Sequence, residues 1–374
     1  MNTGDKSEPY RCYICGEPLE GDNASLEHIV LNGIGGKLRS KTLLCKTCNG
    51  ELGHKSDVAL SESLSFYTDM LQVKKDRDNG HKQVMTDEDG HEIIVEDGGR
   101  KLKLRKPYYE KKEEGNEKVY NLTAINEEGL KDYLAGQVRA KELTQAQMDE
   151  VMAKAKMKPH RPRLSTRTAI PQEAFPSIVR SAVNYYIMKT RRYDDVKHLI
   201  PYIKGEKNCQ EILNLVLFDT LPYEEKKDEI THMIHIEGNS KNGVLYAMLE
   251  YYGLYTYVVF LKEDYDGPEL NLTYCYDVLH ETEVKREFTL PIDRAWIEEY
   301  KNGFAKTSKE RFAAAERRAN KILDVWQEKD RERAVKDIVG KAFSKIPEGA
   351  MITPEMLDGI IADMAEGMAE YIVK

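Results

Sequence analysis

Four cysteines near the start of the chain constrain its fold more than any other feature. They form two C-x-x-C pairs, Cys12 with Cys15 and Cys45 with Cys48. Two such pairs can together supply four thiolates to one tetrahedral ion, which is the ligand set of a closed structural zinc site. A segment of roughly 60 residues buries little apolar core, and bound zinc can contribute on the order of 10 kcal/mol to its folding. We therefore predict that zinc replaces a core here.

Disulfides are the alternative use of these cysteines, and the start of the chain favours zinc instead. The chain begins MNTGDKSEPY, which lacks the apolar stretch of a secretory signal, so we expect a reducing cytoplasm. Cys209 and Cys275 lie far along the chain in apolar surroundings and are expected to be buried thiols. No run approaches the roughly 18 apolar residues that a membrane-spanning helix needs, so we expect no membrane association.

The segment between and after the cysteine pairs carries a second pattern. It runs ASLEHIVLNGIGGKLRSKTLLCKTCNGELGHKSD and contains Glu27 followed by His28, the pair Gly35-Gly36, and Asn49 directly after the last cysteine. In this pattern about the first 58 residues resemble the HNH nucleases, also called ββα-metal or His-Me finger enzymes. The resemblance implies a hairpin with an acidic residue and a catalytic histidine, a Gly-Gly loop, and a helix that bears a metal ligand.

The same resemblance implies hydrolysis of DNA phosphodiester bonds. His28 would be the base that removes a proton from water, and Glu27 with Asn49 would hold the catalytic ion. Carboxylate and amide oxygens suit Mg²⁺ or Mn²⁺, whereas four thiolates suit zinc. Two metals with separate roles are therefore implied, a structural zinc ion and a catalytic magnesium or manganese ion.

Three questions about the geometry of the predicted site stay open at the level of sequence. Neighbouring residues of a regular strand point to opposite faces, so the acidic residue and the histidine must lie at a strand end or bulge to act together. The middle Asn of the HNH pattern is replaced by Ser40, and either Ser40 or Asn32 could supply its hydrogen bond. His54 competes for the helical ligand position, but it lies five residues, or about 140°, beyond the asparagine that ranks first.

Charge patterning decides where DNA could bind. The chain has 374 residues and a formal net charge of -8, so DNA contacts must come from local basic patches. One predicted strand face carries Lys101, Lys103 and Arg105, and a run over 154–167 without acidic residues includes Arg161 and Arg163. Such side chains can neutralise phosphates and give salt-dependent binding with little sequence information. Each patch alone is slightly more typical of a solvated linker.

The hydrophobic and turn patterns predict an α+β fold in three parts. Residues 1–58 are the zinc-stapled ββα-metal module, 59–164 are a charged insertion with a hairpin and short helices at about 127–139 and 143–156, and 165–374 are a larger domain. In that domain a helix over about 172–192 precedes five strand-like runs, from THMIHIEG to KREFTLPI, whose spacing favours an antiparallel meander. Helix caps are expected at Thr144 and Thr353, with a capping box of Thr307 and Glu310.

The C-terminal part carries the predictions about partners. It also resembles the back half of uncharacterised bacterial proteins with an N-terminal HNH domain, which assigns it no chemistry. By analogy with HNH proteins that have a further domain, we expect a role in restriction or phage defence. A long charged helix over about 308–345 and the two sites that duplex cleavage needs predict a homodimer. The alternatives are a non-catalytic, zinc-supported DNA-binding adaptor, and a nuclease held inactive until its C-terminal domain binds a ligand or partner protein.

Overall fold

The computed structural model describes residues 9–76, 82–105, 108–114, 117–124, 127–155, 163–166, 168–218, 220–301 and 309–373. Helices and antiparallel sheets both contribute extensively to this part of the chain, which confirms the predicted α+β class. None of the helices described here combines the length and the apolar character that crossing a bilayer requires.

The described residues form thirteen β-strands and eight α-helices. The strands are β1 (Glu27–His28), β2 (Arg39–Ser40), β3 (Gln83–Thr86), β4 (Glu92–Glu96), β5 (Lys101–Leu104), β6 (Tyr108–Glu114), β7 (Glu117–Thr123), β8 (Leu213–Val216), β9 (Thr231–Asn239), β10 (Val244–Tyr251), β11 (Tyr255–Lys262), β12 (Leu270–Asp277) and β13 (Thr282–Glu283). The α-helices are α1 (Lys46–Met70), α2 (Glu127–Arg139), α3 (Gln145–Lys154), α4 (Phe175–Thr190), α5 (Ile200–Ile203), α6 (Arg294–Lys301), α7 (Lys309–Phe343) and α8 (Pro354–Val373).

The chain packs as two compact units, each built from two separate stretches. The first comprises Met1–Asn79 with Thr168–Val325, and the second comprises Gly80–Arg167 with Trp326–Lys374. The predicted boundary at 58 falls inside α1. The predicted division into 1–58, 59–164 and 165–374 stays a prediction, because packing within one unit does not show which segment folds alone.

The first unit is organised around a six-stranded antiparallel sheet in the order β13-β12-β9-β10-β11-β8. Strands β9, β10 and β11 form the predicted meander, and β12 returns to pair with β9. Every residue of β10 is buried, because both faces of the sheet are covered. Helix α4 packs on β9, β10 and β11 and also contacts α1, so it links the sheet to the cysteine-rich segment.

The run KREFTLPI, predicted as a fifth strand, contains no strand, and this prediction was wrong. Its alternating apolar residues Phe288, Leu290 and Ile292 are buried in an apolar cluster on the sheet with Met233 and Val258. The period of two that suggested a strand therefore comes from an extended segment that packs its side chains on the sheet without joining its hydrogen-bond ladder.

The second unit contains a three-stranded antiparallel sheet, β3-β4-β5, and the hairpin β6-β7. The turn residues Asp89-Gly90 lie between β3 and β4, and Asp97-Gly98-Gly99 lie between β4 and β5. Helices α2 and α3 pack through Leu130, Leu134 and Met148. Arg100, after the second turn, donates from Nε to Asp330 Oδ1 on α7 at 2.7 Å.

Two predicted helix caps are confirmed. Thr144 forms a capping box at the start of α3, and Thr353 Oγ1 accepts the backbone N–H of Met356 at 3.3 Å at the start of α8. Helix α4 lies within the predicted range of 172–192. The predicted capping box at Thr307 involves a residue outside the described part of the chain.

Candidate functional site

The four cysteine sulfurs form a single cluster. The Sγ atoms of Cys12, Cys15, Cys45 and Cys48 all lie within 4.8 Å of one another, and those of Cys15 and Cys45 are 3.7 Å apart. A tetrahedral ion with Zn–S bonds of ~2.3 Å would space its sulfurs about 3.8 Å apart, and all six cysteines of the chain are free thiols. The cluster is therefore compatible with the predicted structural zinc site.

The surroundings of the cluster shift the pKa values of its thiols in different directions. Cys45 caps α1, and its Sγ accepts the backbone N–H of Cys48 at 3.4 Å. Burial raises the pKa of the Cys12 thiol, but backbone N–H groups of Cys45, Cys15 and Ile14 donate to its sulfur and bring that pKa below its ordinary value. Burial and the neighbouring cysteine side chains raise the pKa of the Cys48 thiol, and the pKa of the Cys15 thiol is raised as well. Thiolates rather than thiols bind metal ions, so the backbone N–H groups favour metal binding at Cys12 in particular.

The hairpin β1-β2 carries the Gly-Gly loop at its turn. Gly35 has φ +90°, a conformation that L side chains rarely adopt, and a Cβ at Gly36 would lie 2.1 Å from the Val30 carbonyl oxygen. The loop therefore needs glycine at both positions for its own geometry. This accounts for the pair as turn formers, as the sequence indicated.

Glu27 is directed into the protein interior. It is 3% exposed, and its Oε1 accepts a hydrogen bond from Asn184 Nδ2 at 3.0 Å and lies 3.3 Å from Arg180 Nε on α4. Arg180 also pairs with Asp57 on α1. Burial raises the pKa of Glu27, and although Arg180 opposes this effect, the pKa stays above its ordinary value. A buried guanidinium thus compensates the carboxylate.

Asn49 lies beside Glu27, so the structure brings the two predicted ion ligands together. The amide of Asn49 is close enough to the Glu27 carboxylate to lower its pKa, and its Nδ2 donates to Ser25 Oγ at 2.7 Å. Mg²⁺ usually retains several waters, whereas this carboxylate is buried and already faces Arg180. The arrangement does not fit a hydrated divalent ion, and the ion-binding role of the pair stays a prediction.

His28 faces a different set of groups. It pairs with Arg39 across the hairpin, and its Nε2 lies 3.5 Å from Asp76 Oδ2, just beyond α1. Lys37 Nζ lies 2.9 Å from Asp76 Oδ1, and the nearest guanidinium nitrogen of Arg39 lies 3.8 Å from Asp76 Oδ2. Asn32 Oδ1 accepts the backbone N–H of Asp76 at 3.1 Å. A histidine, a carboxylate and two cations therefore meet at the hairpin.

The electrostatics of this cluster suit a base. Burial lowers the pKa of His28, and the negative charge of Asp76 opposes this effect. The positive charges of Arg39 and Lys37 lower the pKa further, so it ends below its ordinary value. The hydrogen bond from Lys37 lowers the pKa of Asp76. At neutral pH the imidazole is therefore uncharged and the carboxylate is ionised. Sequence analysis missed Asp76, because no spacing rule connects it with His28.

The open question about the middle position of the pattern has a structural answer. The hydroxyl of Ser40 lies 2.8 Å from that of Thr42, and Asn32 binds the backbone of Asp76. Among the described residues, no hydrogen bond links either side chain to the imidazole. His54 is exposed on α1, five residues beyond Asn49.

The predicted DNA contacts lie in the second unit. Lys101, Lys103, Arg105 and Arg163 are exposed, and one guanidinium nitrogen of Arg105 lies 3.1 Å from Glu92 Oε1. Arg161 lies outside the residues that the structure describes. The DNA-binding role of all five stays a prediction.

His232 and His235 have structural roles in the first unit. His232 is fully buried; its Nε2–H donates to the Ile34 carbonyl at 2.8 Å, and its Nδ1 accepts the backbone N–H of Tyr252 at 3.3 Å. Burial lowers the pKa of His232 to about 4. His235 Nδ1 lies 2.9 Å from Thr273 Oγ1. His232 therefore ties the loop of the hairpin to the main sheet.

The cysteine cluster, hairpin and α1 define a small hairpin-and-helix module of the kind that a metal ion staples. The family described as HNH endonuclease matches residues 12–65 of this module. No curated protein and no solved structure matches the chain significantly. The predicted resemblance of the second half to other bacterial proteins therefore has no support, and the family match applies to the N-terminal module alone.

Proposed function

We propose that this protein is an endonuclease that hydrolyses DNA phosphodiester bonds at the β1-β2 hairpin, with His28 as the general base. The observation that carries the proposal is the meeting of the His28 imidazole with Lys37 and Arg39 around the Asp76 carboxylate. The histidine and the two cations lie in the segment that is similar to HNH endonucleases. We further propose that zinc at the four cysteines staples this hairpin to α1.

The residues of the cluster suit two tasks of phosphodiester hydrolysis. A neutral imidazole can accept a proton from the attacking water. Lys37 and Arg39 are partly exposed, with 26% and 53% of their side chains accessible, so they can reach a backbone phosphate and neutralise its charge. HNH nucleases generally use divalent metals, so we propose that cleavage requires Mg²⁺ or Mn²⁺. The proposal assigns no role in holding the ion to Glu27 in this conformation, because its buried carboxylate already faces Arg180.

The test is a plasmid-cleavage assay with purified full-length protein in Mg²⁺, in Mn²⁺ and in EDTA. We expect His28→Ala to slow cleavage by at least about 100-fold, which is the usual contribution of a general base. His54→Ala is the matched control, because it removes an exposed histidine from α1 and should leave the rate unchanged. Equal cleavage by the wild type and His28→Ala would refute the assignment of the base.

A non-catalytic, zinc-supported DNA-binding adaptor is the second candidate. It is favoured by the pairing of Glu27 with Arg180, which supplies the positive charge expected from a catalytic ion, and by Ser40 at the middle position of the pattern. An adaptor would bind DNA equally well in EDTA. It would not cleave DNA in the presence of any divalent ion. DNA binding and cleavage measured on the same preparation separate the two functions.

We further propose that residues 165–374 control the nuclease and that the protein serves in restriction or phage defence. The contacts of Arg180 and Asn184 with Glu27 support control, since they join α4 to the module; the defence role rests on family analogy. Protection from phage that is lost in His28→Ala would support defence.

The predicted homodimer is tested by sedimentation, and an unchanged monomer mass at all concentrations would exclude it.

A further inference from the structure

We propose that Asp76 is the positioning residue of His28: its carboxylate keeps the proton of the neutral imidazole on Nε2 and leaves Nδ1 free as the base. This inference rests on the proposed nuclease function. Asp76 lies beyond residues 12–65, the segment matched by the HNH family. The site would therefore be completed by a residue that the family pattern does not contain.

Three residues hold Asp76 in place, two through its carboxylate and one through its backbone. Its Oδ1 lies 2.9 Å from Lys37 Nζ, its Oδ2 lies 3.8 Å from the nearest guanidinium nitrogen of Arg39, and the backbone N–H of Asp76 donates to Asn32 Oδ1 at 3.1 Å. All three partners belong to the hairpin or its loop. Asp76 is thus fixed relative to the strand that carries His28, although the two residues are far apart in sequence.

The position of Asp76 selects one tautomer of His28. Oδ2 lies 3.5 Å from Nε2, which is longer than a hydrogen bond but close enough for the negative charge to favour a proton on that nitrogen. An ionised carboxylate can only accept, so its charge favours the tautomer of the neutral ring in which Nε2 carries the proton. Nδ1 then keeps its lone pair, which a general base needs. A carboxylate that orients a histidine in this way is a recurrent catalytic arrangement.

The substitution Asp76→Asn tests whether Asp76 determines which ring nitrogen of His28 carries the proton. Lys37 can only donate, so the amide oxygen of the variant should face Lys37 where Oδ1 now lies. The amide NH₂ then takes the position of Oδ2 and donates toward Nε2, which shifts the proton of His28 to Nδ1. The substitution changes one atom and keeps the volume, so it reverses the tautomer with little effect on packing.

The first measurement is steady-state cleavage by the full-length protein. We expect Asp76→Asn to lower kcat at least about 10-fold with little change in KM, and Asp76→Glu to recover part of kcat. Glu281→Gln is the matched control: Glu281 pairs with Lys74 at 3.2 Å, and its side chain is 44% exposed against 43% for Asp76. The control loses a comparable ion pair without touching His28, and its kinetics should match the wild type.

The second measurement does not depend on activity. Nitrogen-15 NMR of the nine histidines, with His28 assigned by its loss in His28→Ala, reports which ring nitrogen is protonated. We expect the Nε2–H tautomer in the wild type and a shift toward Nδ1–H in Asp76→Asn. A wild-type His28 protonated on Nδ1 would overturn the inference, whether or not the protein cleaves DNA.

The kinetic outcomes separate the inference from the function. Cleavage that needs His28 but proceeds normally in Asp76→Asn would overturn the positioning role and leave the nuclease standing. A raised KM with unchanged kcat would mean that Asp76 only orders Lys37 for phosphate binding, and a gain of activity would mean that it blocks the site; either result refutes the inference. Absence of cleavage by the wild type would instead count against the nuclease itself.

Discussion

The buried Arg180 provides the sharpest prediction about stability, because it joins the hairpin to α4. Its side chain is 3% exposed and faces Glu27, whose side chain is 4% exposed, and it also pairs with Asp57. Burial alone would lower the pKa of Arg180, but Asp57 and Glu27 raise it above its ordinary value. The guanidinium is therefore charged in the folded protein, and both carboxylates depend on it.

The perturbation is Arg180→Met, which keeps most of the apolar stem and removes the charge. Breaking a buried ion pair on one side leaves the other charge uncompensated, and the usual cost is about 3–5 kcal/mol. The loss should be near this range, because Glu27 keeps only amide partners in the variant. Such a loss is a large fraction of the stability of an ordinary domain.

The assay is urea unfolding of the full-length protein at pH 7, with Arg294→Met as the control. Arg294 pairs with Asp264, but its side chain is 60% exposed, and exposed ion pairs contribute about 0–1 kcal/mol. Glu27→Gln in the Arg180→Met background removes the uncompensated charge and should recover about 1–3 kcal/mol, a coupling typical of residues in contact. If Arg180→Met is no more destabilising than Arg294→Met, the proposed role of the guanidinium is wrong.

Two further predictions concern the metal and pH. Protein purified without chelator should contain one zinc ion per chain, and a strong chelator or Cys45→Ser should lower its unfolding midpoint. The control Cys209→Ser should not remove zinc. Protein that contains no zinc would contradict the structural site. His232 has a pKa of about 4 in the folded protein and about 6.5 in the unfolded chain. The contribution of the neutral His232 to the free energy of unfolding is therefore fully present above the unfolded pKa and is lost as the pH falls below that value. The expected loss is about 2 kcal/mol between pH 7 and pH 5. Urea unfolding should show this loss in the wild type and a smaller one in His232→Gln; equal losses would refute the role of His232.

The features that sequence analysis predicted correctly are local ones. The caps at Thr144 and Thr353 depend on a side chain and a backbone N–H two or three residues away, and the meander of β9, β10 and β11 follows from turn residues between apolar runs. The failure at KREFTLPI shows the limit of this reasoning. A period of two reports which side chains are buried, but a strand also needs a neighbouring backbone to bond with.

The sequence by itself indicated the cysteine cluster, because short-range geometry lets each C-x-x-C pair present two sulfurs to one point and a tetrahedral ion needs two such pairs. It also indicated Glu27, His28 and Asn49 as candidate site residues. Only the tertiary structure decided their surroundings: Arg180 beside Glu27, and Asp76 beside His28. Those pairs join residues from distant parts of the chain, and their meeting depends on how α4 and the segment after α1 pack. No local spacing encodes that packing, because it is set by the burial of whole faces rather than by any one residue pair.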